Sequence, residues 1–146
     1  MDQFDIIGVL RSYCTDNNIQ FIWRYDEFYA NISASTEYEA GQLVLVVDLK
    51  PTPILSGSKV SEITYSGLMM LGRKFDEDGH HASLDEDQLQ KYDRRLLELT
   101  GMLVSIASSI ACSNELDLTV GQINYLINMY DSNIDFAAAQ NITFVQ

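Results

Sequence analysis

The stretch DEDQLQKYDRRLLELTGMLVSIASSIAC, residues 85–112, decides the fold. Its apolar residues Leu89, Tyr92, Leu96, Leu99, Leu103, Ile106 and Ile110 recur at intervals of three and four, with Gly101, Ala107 and Ala111 between them. That is the stripe of a helix lying on a packed surface. The spacing predicts one long helix to about Cys112, capped by Ser83 or Asp85, whose oxygens accept from the orphan N–H groups two or three residues on. Ser113-Asn114 ends it, and Leu96, Leu103 and Ile106 are expected to be buried against a sheet.

Towards the N-terminus, Phe4, Ile7, Leu10 and Cys14 repeat the helical spacing, widened by Ile6 and Tyr13, so a first amphipathic helix runs from Gln3 to about Asn17. Asp16-Asn17-Asn18 stops it with residues that tolerate turns and left-handed backbone. Ile19, Phe21, Trp23 and Tyr25 then alternate as a strand. Residues 26–41 have a mixed pattern and read as a loop with a short strand or turn around Phe28 to Ser33, closing on Gly41. Gln42 to Leu49 is β-branched and continuously apolar, as in a strand covered on both faces. Pro51 and Pro53 are expected to end its ladder, since proline cannot donate, and Leu55 to Lys59 reads as a mobile turn. Glu62 to Gly72 alternates as the partner strand.

Towards the C-terminus, Leu116, Leu118 and Val120 alternate up to Gly121. There the phase slips so that Ile123, Tyr125, Ile127 and Met129 carry on, and a glycine at a phase slip predicts a β-bulge. Asp131-Ser132-Asn133 is turn chemistry, followed by alternation through Ile134, Phe136, Ala138, Ile142 and Phe144. The expected fold is α+β: one domain over residues 1–146, a mainly antiparallel sheet with the N-terminal helix and the long central helix packed on one face, and a C-terminal β-hairpin.

With 146 residues, 47% of them hydrophobic and fifteen of them aromatic, the chain can bury a full core. Its longest purely apolar run is Leu43 to Val47, so no membrane span is expected, and Met1-Asp2-Gln3-Phe4-Asp5 lacks the features of a signal peptide. The net charge of −12 comes from 21 acids against 9 bases, which argues against a general affinity for phosphate backbones or anionic lipid, and neither a sequence-specific nucleic-acid partner nor a membrane is expected. The charge is uneven: nine acids and six bases up to residue 74, twelve acids and three bases after it. Cys14 and Cys112 lie in separate apolar helical patterns and are expected to be buried free thiols.

No set of residues for catalysis emerges. His80-His81, beside Asp76, Glu77 and Asp78, has no recognised ligand spacing: an EF-hand begun at Asp76 would need glycine at His81 and glutamate at Asp87. The segment from Arg73 to Asp87 reads as a solvated acidic loop. No Gly-x-Ser-x-Gly elbow and no glycine-rich phosphate turn occurs, and a thiol among apolar helical residues is inert. Trp23, Tyr25, Phe28, Tyr29 and Tyr38 could stack bases, but at period two they are expected to divide between core and solvent. The expectation is a protein that is not an enzyme and holds no cofactor or metal.

The segment Tyr125-Leu126-Ile127-Asn128-Met129-Tyr130-Asp131-Ser132-Asn133-Ile134-Asp135-Phe136, with the strand to Val145, resembles the closing hairpin of the tail-completion and tail-terminator proteins of tailed bacteriophages. The order of helix, meandering strands, long helix and hairpin is similar to that family over most of the chain. The resemblance implies a virion subunit made in the host cytoplasm. It would form a closed homo-oligomeric ring, a hexamer or a twelvefold connector, between portal or connector and tail tube, with an acidic lumen that keeps passing DNA from sticking. Interface residues are then expected at Tyr38, Pro51, Pro53, Lys59, Arg73, Phe75, Asp76, Asp78, His80, His81, Asp131 and Asn133, in the segments 26–41, 50–61, 73–87 and the final turn. Two other readings stand beside it: a small acidic regulator or inhibitor, with residues 75–98 mimicking nucleic acid, and a hydrolase or metal enzyme using His80 or His81.

Overall fold

A computed structural model of the chain describes residues 5–23, 38–75, 86–126 and 134–146, with side chains of the central helix from residue 93 onward. Helix α1, Ile6–Asp16, starts where the Asp5 carboxylate accepts from the Gly8 N–H at 3.0 Å, a side-chain cap on an otherwise orphan donor. It ends where the Asn17 amide donates to the Tyr13 carbonyl at 2.8 Å and Asn18 takes φ +54°, a conformation asparagine tolerates. Ile6, Leu10 and Cys14 form its buried stripe.

The described strands are β1 (Gln20–Trp23), β2 (Leu43–Ser56), β3 (Lys59–Lys74), β4 (Asp117–Val120), β5 (Ile123–Leu126) and β6 (Ile134–Val145). They form one sheet in the order β1-β2-β3-β6-β4, with β5 also on β6. Every pairing is antiparallel except β1 with β2, which is parallel, Gln20 facing Val44 and Trp23 facing Val47. Helix α2, Glu86–Ser113, follows β3. The molecule is thus α+β, with two helices and a mostly antiparallel sheet.

The apolar run in β2 divides by parity. Leu45, Val47 and Leu49 join Met69, Leu71, Ala137, Ala139, Ile142 and Phe144 with the stripes of α1 and α2, so this is the helix-covered face. Val44 and Val46 point the other way, into a second core with Ile22, Met70, Ile134, Phe136 and Ala138. Leu96, Leu103 and Ile106 of α2 are buried as their spacing predicts. Beyond packing, Arg73 ties β3 to α2 through Glu98 (3.6 Å) and the Met102 sulfur (3.1 Å). Thr100 and Tyr125 share a hydroxyl hydrogen bond of 2.7 Å between α2 and β5.

Four expectations need correction. First, β2 does not end at its prolines: Pro51 faces Tyr65, Pro53 faces Ile63, and the ladder continues to Ser56 opposite Lys59. The Lys74 N–H donates to the Gln42 carbonyl, so even-numbered residues of β2 bond to β3 and odd-numbered ones turn away from it. Pro51 and Pro53 are both odd, and among the described residues β1 pairs no further than Val47, so their missing donors fall on the side away from β3, where no described ladder bond is lost. Second, Leu55 to Lys59 is the closed end of the β2–β3 hairpin. Gly57 at φ +66° occupies the first central position of a two-residue turn, as a type II′ turn requires.

Third, Gly121 inserts no residue against β6. Val120 faces Ile142 and Ile123 faces Ala139, the same register on both sides of it. The extra residue lies in β6, opposite Gly67–Met69 of β3, and β4–β5 copy the resulting change of face. Glycine suits position 121 because a Cβ would stand only 3.0 Å from the Asn141 carbonyl, to which the Gly121 N–H donates. Fourth, Cys14 is buried but Cys112 is exposed, one residue off the α2 stripe that buries Ala111. The loop 26–37, the caps Ser83 and Asp85 and the turn 131–133 lie outside the described residues.

Candidate functional site

The β2–β3 hairpin leaves the body of the protein. Its residues 50–56 and 59–61 are all exposed, whereas Val44 to Val47 and Met69 to Leu71 of the same two strands are buried. At its end stand Leu55, 62% exposed, Ile54, 48%, and Val60, 37%. Leu55 faces Val60 across the ladder, and by parity Leu55 continues the helix-face series Leu49, Pro51, Pro53. Ser61 is the extra residue of a bulge beside Ile54, its hydroxyl donating to the Ile54 carbonyl at 3.0 Å, which fixes the tip against the arm. Single exposed apolar side chains are ordinary on a protein surface, but three at one projecting tip are not.

Where the arm meets the body there is an open cleft of about 410 Å³, lined by Asp5, Ile6, Ile7, Trp23, Leu49, Pro51, Ile63 and Tyr65. Among the described residues α1, which begins at Ile6, covers the helix face only as far as Leu49 and Tyr65. Its walls are mostly apolar, and the exposed Asp5 is one of the residues that line it. Burial, and secondarily the Asp5 charge, push the Tyr65 hydroxyl above the ordinary tyrosine range. Between residues 50 and 61 there are two lysines, Lys50 and Lys59, and no acid, so the rest of the chain holds seven bases against 21 acids.

Of the expected interface residues, the structure brings together Pro51, Pro53 and Lys59 on this arm. Arg73 sits opposite Leu43, at the far end of the same ladder, and its guanidinium is engaged with Glu98 and Met102. Phe75, directly after β3, is half-buried. Tyr38 is half-buried against the second core, where burial pushes its hydroxyl up. Asp76, Asp78, His80, His81, Asp131 and Asn133 lie outside the described residues. Reading Pro51 as a strand end hid Ile54, Leu55 and Val60. Their signal was apolar residues on both sides of Ser56-Gly57-Ser58, the mark of a hairpin.

Two further features bear on function. The stretch Asp93–Ser113 of α2 is long and apolar enough to cross a membrane, with mean hydropathy 1.6, a length the count of unbroken apolar residues overlooked. In the fold 39% of its apolar window is buried, and Leu99, Leu103, Ile106, Ala107, Ile110 and Ala111 pack into the helix-face core. Among the described residues no three of His, Cys, Asp and Glu come together as metal ligands would. No protein-family model matches the chain, and no curated protein is similar to it.

Proposed function

We propose that the chain is a self-associating structural subunit of a tailed-phage virion, a ring-forming tail terminator or head–tail connector that joins portal or connector to tail. The observation that carries the reading is the projecting β2–β3 arm with Ile54, Leu55 and Val60 exposed at its end. An apolar tip held away from the body stabilises nothing in its own subunit, so its burial must come from association. Two helices on one sheet face, with a hairpin of β5 and β6 closing the sheet, is also the arrangement that the terminator resemblance implies.

In this reading the subunit acts by shape and charge, with no reaction to perform. A ring of acidic subunits presents negative charge to DNA in its channel, and the phosphate backbone slides past without adhering. Sedimentation of the purified chain at rising concentration, with electron microscopy of the heaviest species, tests the proposal. One discrete closed ring, sixfold or twelvefold, is expected. A chain that stays monomeric at millimolar concentration overturns it and favours the acidic inhibitor.

A further inference from the structure

The arm tip and the cleft lie along one apolar stripe on the helix-covered face, and among the described residues the tip is exposed and the cleft open. We infer that the tip of one copy of this chain docks in the cleft of the next copy, Leu55 and Val60 against Ile7, Leu49 and Ile63, with Lys59 meeting the carboxylate of Asp5. The inference deepens the ring-subunit reading and rests on it.

A second copy is the occupant on three grounds. The tip cannot fold back into its own cleft: Pro51, at the mouth, and Ser56, at the turn, belong to one paired strand, and five residues at about 3.3 Å each hold them about 17 Å apart. Charge matches within the chain itself, because Lys59 stands beside the turn of the arm while the exposed carboxylate of Asp5 lines the cleft. Pro51 and Pro53 remove two donors from the side of β2 away from β3, which disfavours strand addition there, so the arm engages by its tip and side chains. Tip and cleft are different surfaces, and a contact between different surfaces repeats head to tail until it closes.

The test uses the full chain. Leu55→Asp, a change at a residue 62% exposed, should leave the melting temperature within a few degrees of the parent and weaken self-association at least 100-fold by sedimentation. Lys59→Glu should weaken it about tenfold, and adding Asp5→Lys should restore most of that loss. In a Cys112→Ser background, chains carrying Lys59→Cys mixed with chains carrying Asp5→Cys should form a disulfide-linked pair between chains. If the parent assembles into rings while Leu55→Asp assembles equally well and no cross-link forms, the docking is wrong and the ring reading survives. If the cross-link forms and Leu55→Asp dissociates the complex but the complex is only a dimer, the docking stands and the ring reading falls. A monomeric parent with no cross-link overturns both.

Discussion

At the scale of single residues, Cys14 and Gly67 show most directly how the fold constrains side chains. Burial pushes the Cys14 thiol from the usual 9.0 to about 12, because a thiolate there would be a charge among Ile6, Leu10 and Ile19. The unfolded chain therefore loses its thiol proton first as pH rises. The stability tied to Cys14 is complete below pH 9 and is lost between about 9 and about 12, at up to about 1.4 kcal/mol per pH unit. Urea midpoints at pH 8 and pH 10.5 should show this fall, with a shallower one in Cys14→Ala. A maleimide should label one thiol, Cys112, in the folded chain and both in denaturant. Gly67, at φ +148° with its Cα against the Asp48 carbonyl, leaves no room for a Cβ. Gly67→Ala should cost on the order of 3 kcal/mol in chemical denaturation, from backbone strain and collision together.

At the scale of elements, α2 separates its two leucine populations cleanly. Leu103 is 1% exposed on the sheet-facing stripe, and Leu97, one residue from buried Leu96, is 65% exposed. Leu103→Ala should cost about 2 to 5 kcal/mol, since it deletes buried methyls and leaves a cavity. Leu97→Ala should change stability by less than about 0.5 kcal/mol, and equilibrium unfolding of the two variants side by side checks both values. The β2–β3 hairpin shows the same division along one strand pair: its first half is sandwiched between two cores, and its second half projects from them. Ladder bonds and the Gly57 turn hold the outer half in shape without help from burial.

At the scale of the molecule, charge opposes assembly and apolar contact drives it. Subunits of charge −12 repel at long range, and the Debye length of about 10 Å at 0.1 M salt shrinks to about 3 Å at 1 M. One exposed Lys59–Asp5 pair supplies about 0.2 to 1 kcal/mol, and that small gain is screened along with the repulsion. Leu55 and Val60 each bring about 1.5 to 3 kcal/mol if fully covered, and salt does not screen it. Self-association should therefore strengthen as salt rises from 50 mM to 0.5 M, followed as the shift in sedimentation coefficient at fixed protein concentration. A complex that dissociates over that range would place ion pairs, not the apolar tip, at the centre of the contact.

The α+β class, both helices and the β2–β3 pairing were legible in the residue pattern, because spacings of two, three and four report local backbone geometry whatever the rest of the chain does. Asn18 in the turn after α1, the doubly covered run Val44 to Val47 and the buried stripe Leu96, Leu103 and Ile106 were read from sequence for that reason. Pattern is silent about neighbours that are distant in sequence. Whether Pro51 and Pro53 break a strand depends on which side of β2 their absent donors meet, and only the pairing with β3 put those donors on the side away from it. Likewise the phase slip at Gly121 was visible, but its cause is an extra residue in β6, about twenty positions away. The candidate site was legible least. Pro51 and Lys59 were marked as surface residues, but the cleft at the base of the arm is made by the start of α1, the end of β1 and the middle of β2 and β3. Those four segments meet only because the sheet and its helix pack in three dimensions, so the sequence determined the elements, and tertiary packing decided which apolar residues were left without a cover.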